Sequence, residues 1–147
     1  MPVALLDVNV LVALFDPDHL HHDLAHDWFA VEGRDGWATC SITENGFLRV
    51  LSHPNYRPEP IRLADALAGL RKFCSGPRHR FWPADISLAD ESLFASAAFA
   101  GHRQITDVYL LGLAKKMGGR LATFDRSIPL AAVKGARRSH LAVISPA

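Results

Sequence analysis

Ala4-Leu5-Leu6-Asp7-Val8-Asn9 is an apolar run that ends in a carboxylate, skips one residue and places an asparagine. The run is too short to be a helix by itself and reads as a buried strand without polar alternation, covered on both faces. A charge at the end of such a strand is costly unless a cation or hydrogen-bond donors meet it. Three further acids, Glu44, Asp107 and Asp125, stand in comparable settings later in the chain. The organising expectation is that the fold gathers these carboxylates around Asp7.

Working outward, Val8 to Phe15 turns helical and stops before Asp16-Pro17, because the residue before a proline is pushed out of the helical region. His19 to Glu32 reads as a second helix with Leu20, Leu24, Trp28 and Val31 on one stripe and Gly33 as its stop. His19, His22 and His26 share a face of it, read as a solvated rim in preference to a metal-binding triple. Gly36 to Cys40 is a second strand. Ser41 can cap the helix that follows, and Glu44 lies three residues on, the spacing of a capping box, so Glu44 has a local use open to it as well as a chemical one. Gly46 inside that helix marks close packing.

Ser52 to Pro60 holds three prolines and reads as an exposed loop and substrate-contact candidate. Ile61 to Phe73 is an amphipathic helix, and His79 to Trp82 a third strand. Asp85 to Gly101 reads as a long helix with a possible Ser87 cap and a core face of Leu93, Phe94, Ala97 and Ala98. Thr106 is a candidate N-cap with Asp107 in the first turn behind it. Arg120 to Phe124 is a fourth strand that runs into Asp125, Ile128 to Val133 a short helical piece, and His140 to Ile144 the last strand.

The chain has 147 residues, 49% of them apolar, and a formal charge of +1, which suits one α/β domain with a proper core. No apolar stretch approaches the about 18 residues of a membrane helix. The N-terminus has no basic start or small-residue cleavage site, and Cys40 and Cys74 form no CxxC pair. The expectation is a cytoplasmic protein with reduced thiols. A polyanionic partner would need a local basic patch, because the net charge supplies none. Candidates are Arg49 and Arg57 beside the proline loop, Arg126 beside Asp125, and the groupings Arg78/Arg80, Lys115/Lys116/Arg120 and Lys134/Arg137/Arg138, with Tyr56 for stacking.

Strands alternating with helices predict a parallel sheet covered on both faces, with ligands bound beyond the carboxyl ends of the strands. Asp7 and Asp125 directly follow strands, Glu44 lies in the first turn after one, and Asp107 opens a helix. Topology alone therefore allows all four into one crevice. Crowded carboxylates must protonate or share a cation. An all-oxygen set favours a hard divalent ion, Mg²⁺ or Mn²⁺, which serves phosphoryl chemistry. Asn9 and Thr106 are placed to support such a site. No GxSxG elbow, P-loop or GxGxxG is present.

Four stretches in order, Leu6-Asp7-Val8-Asn9, Thr43-Glu44-Asn45-Gly46-Phe47-Leu48-Arg49, Thr106-Asp107-Val108-Tyr109-Leu110 and Ala122-Thr123-Phe124-Asp125-Arg126, resemble those of PIN-domain ribonucleases, specifically VapC-type toxins of type II (VapBC) toxin–antitoxin systems. His22, Ala25 and Trp28 match a helix pattern of one VapC subgroup. The resemblance spans nearly the whole chain and implies a single PIN domain over 1–147, a three-layer α/β/α sandwich on a five-stranded parallel sheet. It implies a Mg²⁺- or Mn²⁺-dependent endoribonuclease acting on tRNA or rRNA, a homodimer, and a VapB-like antitoxin. Asp7, Glu44 and Asp107 carry over as metal ligands, Asp125 as the fourth catalytic acid, and Asn9, Thr106 and Arg126 as supporting residues. The competing readings are a structure-specific DNA nuclease of the flap type and a non-catalytic RNA-binding module whose acids are structural caps.

Overall fold

The structure, a computed structural model, describes residues 2–99 and 101–146. Five strands form one all-parallel sheet in the order β3-β2-β1-β4-β5: β1 (Ala4–Leu6), β2 (Trp37–Thr39), β3 (His79–Phe81), β4 (Arg120–Thr123) and β5 (Leu141–Val143). β1 is the central strand and is wholly buried, as an apolar run without alternation requires. Ala4 and Leu6 face one core with Phe47, Leu51 and Leu70, while Leu5 faces a second core with Ala38, Val108 and Leu121. That alternation puts α1 (Val8–Phe15), α2 (His22–Glu32), α3 (Ser41–Ser52) and α4 (Leu63–Cys74) on one side and α5 (Ile105–Lys116) on the other. The result is the expected α/β/α sandwich. The chain runs from β1 to β2 on one side of the centre and from β4 to β5 on the other. The direction of winding therefore reverses between β1 and β4, which is where such sheets bind ligands.

Several local expectations are corrected. Asp85 to Gly101 is not a helix; Ala100 within that stretch lies outside the described residues. The Asp90 carboxylate accepts from both the backbone N–H and the hydroxyl of Ser92, at 2.9 and 2.6 Å, and Ser87 Oγ accepts from the Ala89 N–H. These short polar side chains offer the backbone turns in place of a helix. The segment then pairs with 132–134 through Ala95 N–H to Ala132 O and Lys134 N–H to Leu93 O, which brings Phe94 into the core against α5. α2 starts at His22, not His19, so Leu20 sits in the preceding turn and is 89% exposed; Val31 is exposed as well.

The histidines of α2 have a packing role. His22 Nδ1 lies 2.7 Å from the Ala13 carbonyl and His26 Nε2 2.8 Å from that of Leu14, so both rings meet carbonyls left unpaired at the end of α1. Asp16, before Pro17 at the end of α1, is buried: it accepts 2.6 Å from the Tyr56 hydroxyl and faces Arg57, tying the proline loop to the end of α1. Burial presses upward on the Asp16 carboxyl, but the Tyr56 hydroxyl, the Asp18 N–H, Arg57 and His19 outweigh it and hold its pKa below the ordinary value. Tyr56 is anchored by this bond. Two members of the expected Lys115/Lys116/Arg120 grouping are also engaged elsewhere: Arg120 pairs with Glu32 at 2.8 Å, and Lys116 with Asp85 at 2.6 Å. Cys40 and Cys74 are free thiols. Among the described residues no helix is long and apolar enough to cross a membrane.

Candidate active site

Asp7 is the residue between β1 and α1. Its backbone is extended, its N–H still pairs with Ala122 O of β4, and its carboxylate caps the helix it precedes. Oδ1 accepts 2.7 Å from the Val8 N–H, and Oδ2 accepts 2.8 Å from the Thr123 hydroxyl. The same Thr123 oxygen accepts from the Asp125 N–H at 3.1 Å, so one buried hydroxyl joins the strand end that carries Asp7 to the turn that carries Asp125. Asp125 in turn accepts from the N–H and hydroxyl of Ser127, which closes its turn. Sequence reasoning missed Thr123. Its signal was a threonine in an apolar strand two residues before an acid, the offset at which a hydroxyl bonds local backbone.

Asp107 reaches the same place from α5. The helix begins at Ile105 after Gln104, so Thr106 is its second residue and not its N-cap, while Asp107 does fall in the first turn. Burial raises the Asp107 carboxyl, and the charges of Asp7 and Asp125 raise it further, to about 7. Asp7 is raised as well, chiefly by burial and also by Asp125, with the bonds from Thr123 and Val8 opposing. Three carboxylates thus feel one another at the carboxyl edge of the sheet, between β1 and β4. Asn9, in the first turn of α1, is exposed, as are Thr106 and Arg126.

Glu44 comes from α3. α3 starts at Ser41 after Cys40, and the reciprocal cap is between Cys40 and Thr43, so the Ser41–Glu44 capping box does not form. The Glu44 carboxylate instead accepts 2.7 Å from the buried Thr39 hydroxyl. The groups on which its charge acts are His79 and Cys74, and the carboxylates that press on Asp107 are Asp7 and Asp125. Asp7, Asp107 and Asp125 therefore feel one another's charge, and the Glu44 carboxylate lies beside Thr39, Cys74 and His79.

The three aspartates fit a hard divalent cation. They offer oxygen only, and two of them carry upward-shifted carboxyls that a cation would relieve. Next to Asp125, Arg126 and Arg138 line a groove of about 510 Å³ floored by Ile128, Leu130, Leu141 and Val143. A second groove, of about 410 Å³, runs past Gly46, Arg49, His53 and Tyr56.

The PIN-domain profile matches residues 4–134. This chain belongs to the PIN-domain family. Within it the chain is 45% identical over 141 residues to Ribonuclease VapC44 of Mycobacterium tuberculosis, covering 96% of this chain and 99% of that one. It is 44% identical over 126 residues to Ribonuclease VapC38 of the same species, covering 86% and 87%. These relatives place it with the VapC-type PIN domains. Among solved structures it resembles M. tuberculosis VapC20, described as a sarcin–ricin loop cleaving toxin, with a TM-score of 0.62 at 13% identity over 91% of this chain and 96% of that one. At that identity the likeness speaks for the fold.

Proposed function

We propose that this PIN domain, read as a single unit over 1–147, is a metal-dependent endoribonuclease toxin of the VapC type, cytoplasmic and restrained by a VapB-like antitoxin. The observation that carries the reading is the convergence of Asp7, Asp107 and Asp125 at the reversal point of the sheet, with Asp107 raised to about 7. Asp7, Glu44 and Asp107 would hold Mg²⁺ or Mn²⁺, with Asp125 as the fourth acid of the site. The bound ion would neutralise phosphate oxygens and favour attack by water. Thr123 and the Val8 N–H fix the direction of the Asp7 carboxylate, and the Ser127 turn fixes Asp125. With its carboxyl raised to about 7, Asp107 would give up its proton to a bound cation. Arg126 and Arg138 offer guanidinium forks to phosphates along their groove, where a single strand would lie with its scissile bond over the aspartates. Asn9 and Thr106 stand exposed on the two helices that carry Asp7 and Asp107 and would contact water or phosphate. Attack by water with departure of the 3′-oxygen leaves a 5′-phosphate and a 3′-hydroxyl. A homodimer and a tRNA or rRNA target are proposed as part of the same reading.

The test is cleavage of tRNA, rRNA fragments and matched single-stranded DNA by the purified protein, with Mg²⁺, Mn²⁺ or EDTA. RNA cleavage that needs the ion and is abolished by Asp7→Asn is expected. Preferential cleavage of DNA, or full RNA cleavage by the Asp7→Asn protein, would overturn the proposal.

A further inference from the structure

Phe124 stands between Thr123, whose hydroxyl holds Asp7, and Asp125. Strand alternation turns its side chain to the side of the sheet that Ala122 faces, where the ring is only half-buried. Two imidazoles from the turn between α1 and α2 lie against it. The His21 ring centroid is 4.8 Å from that of Phe124 at an interplanar angle of 37°, and the His19 ring is 6.5 Å away and within 20° of parallel. His19 and His21 are 5.9 Å apart, so the three rings form one half-buried aromatic cluster beside Asp125. The backbone holds it. The His19 N–H donates to the Asp16 carbonyl at 3.0 Å, and the His21 N–H donates to His19 Nδ1 at 3.0 Å, which leaves the proton of a neutral His19 ring on Nε2. Burial, and next the neighbouring His21, lower the His19 pKa, so that ring is neutral at pH 7.

We infer that Phe124, His21 and His19 form a stacking platform for an unpaired base of the RNA strand, next to the phosphate that the acidic site engages. The inference rests on the ribonuclease reading and adds to it where a base of the substrate sits. Every base has a π-face, so aromatic rings at a strand-binding surface hold bases without demanding one sequence. Neutral imidazole and phenyl rings suit this role, and a base can reach them only when it is splayed out of a helix. Phe124 and Asp125 are neighbours in the chain, so the ring and the acid present adjacent surfaces to the two halves of one nucleotide. The surroundings favour a base over a phosphate on this side. His19 lines a groove of about 800 Å³ together with Tyr56, Arg57, Asp16, Asp18 and Glu59. Carboxylates there repel phosphate but accept from the amino groups of bases. On the other side of Asp125, Arg126 and Arg138 line the groove suited to the backbone. The cluster thus stands where base and backbone of a single strand would part.

The probe is a short oligouridine carrying one 2-aminopurine, added to the full-length protein in EDTA, where cleavage stops. Stacking on an aromatic ring quenches 2-aminopurine fluorescence, and contact with phosphate alone does not. Wild type should bind the probe and quench it. His21→Leu and Phe124→Leu keep apolar bulk and remove the ring face. Each should weaken binding by about 5- to 150-fold and reduce the quenching. His21→Phe should retain both, a rescue that a hydrogen-bonding role for the imidazole would not allow. The probe annealed to oligoadenosine should lose most of its affinity. If Phe124→Leu does not fold, the turn variants His21→Leu and His21→Phe carry the test. Cleavage of RNA with Mg²⁺ or Mn²⁺ by the same proteins separates this inference from the reading it rests on. If wild type cleaves RNA while His21→Leu and Phe124→Leu bind and quench as it does, the platform is overturned and the ribonuclease stands. If quenching depends on the rings but wild type cleaves no RNA, the platform stands and the ribonuclease reading falls. Unchanged fluorescence with wild type, or His21→Phe behaving as His21→Leu does, would also overturn the platform.

Discussion

The Thr123 hydroxyl donates to Asp7 Oδ2 at 2.8 Å while accepting from the Asp125 N–H at 3.1 Å, so a single buried oxygen sets the relative position of two acids from neighbouring strands. Replacing Thr123 with valine keeps the shape of the side chain and removes both bonds. Asp7 then keeps only the Val8 N–H of these two partners, and the Asp125 turn loses its tether. Removal of one partner of a buried bond costs about 1–3 kcal/mol. Loss of an orienting group beside a metal ligand typically weakens ion binding or activity by about 10–100-fold. Thr123→Val should therefore lose stability in urea denaturation and raise the Mg²⁺ concentration needed for half-maximal cleavage, with Thr123→Ser recovering most of both. A variant with unchanged Mg²⁺ dependence would remove Thr123 from the site.

The proton on Asp107 gives a pH prediction with a definite sign. The folded protein holds it to about 7, against an ordinary carboxylate value of 3.8, so between those values the folded state binds more protons than the unfolded one. Stability of the ion-free protein from this group accordingly falls as pH rises through that window, and the full penalty applies above about 7. In EDTA, melting temperatures should decline from about pH 5 to about pH 8, and Asp107→Asn should flatten that decline and raise the value at the upper end. Mg²⁺ should restore stability to wild type at about pH 8 and much less at about pH 5, because the ion must displace the proton. A decline of equal size in Asp107→Asn would show that another group is responsible.

What was legible in the sequence was set by whether one local rule acted alone. Around Asp7 it did: an apolar run, an acid and a helix-forming stretch have one reading, and topology then delivers Asp125 and Asp107 to the same edge. Glu44 was harder because two rules competed for it and a third won. No capping box holds its side chain; the Thr39 hydroxyl does, and Thr39 lies in a strand where the sequence reads only as burial. The stretch from Asp85 failed for a different reason. Its apolar periodicity suited a helix, yet Ser87 and Asp90 bond the local backbone, and residues 132–134, distant in sequence, pair with Leu93 and Ala95. Long-range pairing of this kind leaves no trace in a local window.

His22 and His26 provide a check on the reading of α2. Their rings lie 4.4 Å apart and each meets a terminal carbonyl of α1, while His19 lies beside His21 instead, ring centroids 5.9 Å apart. Each bond should contribute about 0.5–1.5 kcal/mol. His22→Ala and His26→Ala should each lower the urea midpoint by a corresponding amount, and neither should alter divalent-cation binding measured by calorimetric titration. Loss of a bound ion in either variant would instead revive the histidine triple as a metal site.

Gly46 tests how tightly the helix packing fixes the catalytic edge. A Cβ built there would lie 2.5 Å from Val8 Cγ2, far inside contact distance, and Val8 is the residue whose N–H holds Asp7 Oδ1. Two effects oppose each other in Gly46→Ala. Alanine is better than glycine in a helix interior by about 1 kcal/mol. Overpacking between two helices costs about 1–3 kcal/mol, and a β-branched valine has little rotamer freedom with which to retreat. The clash should win, giving a net loss of stability together with weaker Mg²⁺-dependent cleavage as Val8 is pushed and Asp7 moves with it. The double variant Gly46→Ala with Val8→Ala should recover the cleavage, because the added methyl then occupies the space the valine vacated. If the single variant is instead more stable and fully active, α1 and α3 separate more easily than their contact implies, and the position of Asp7 does not depend on it.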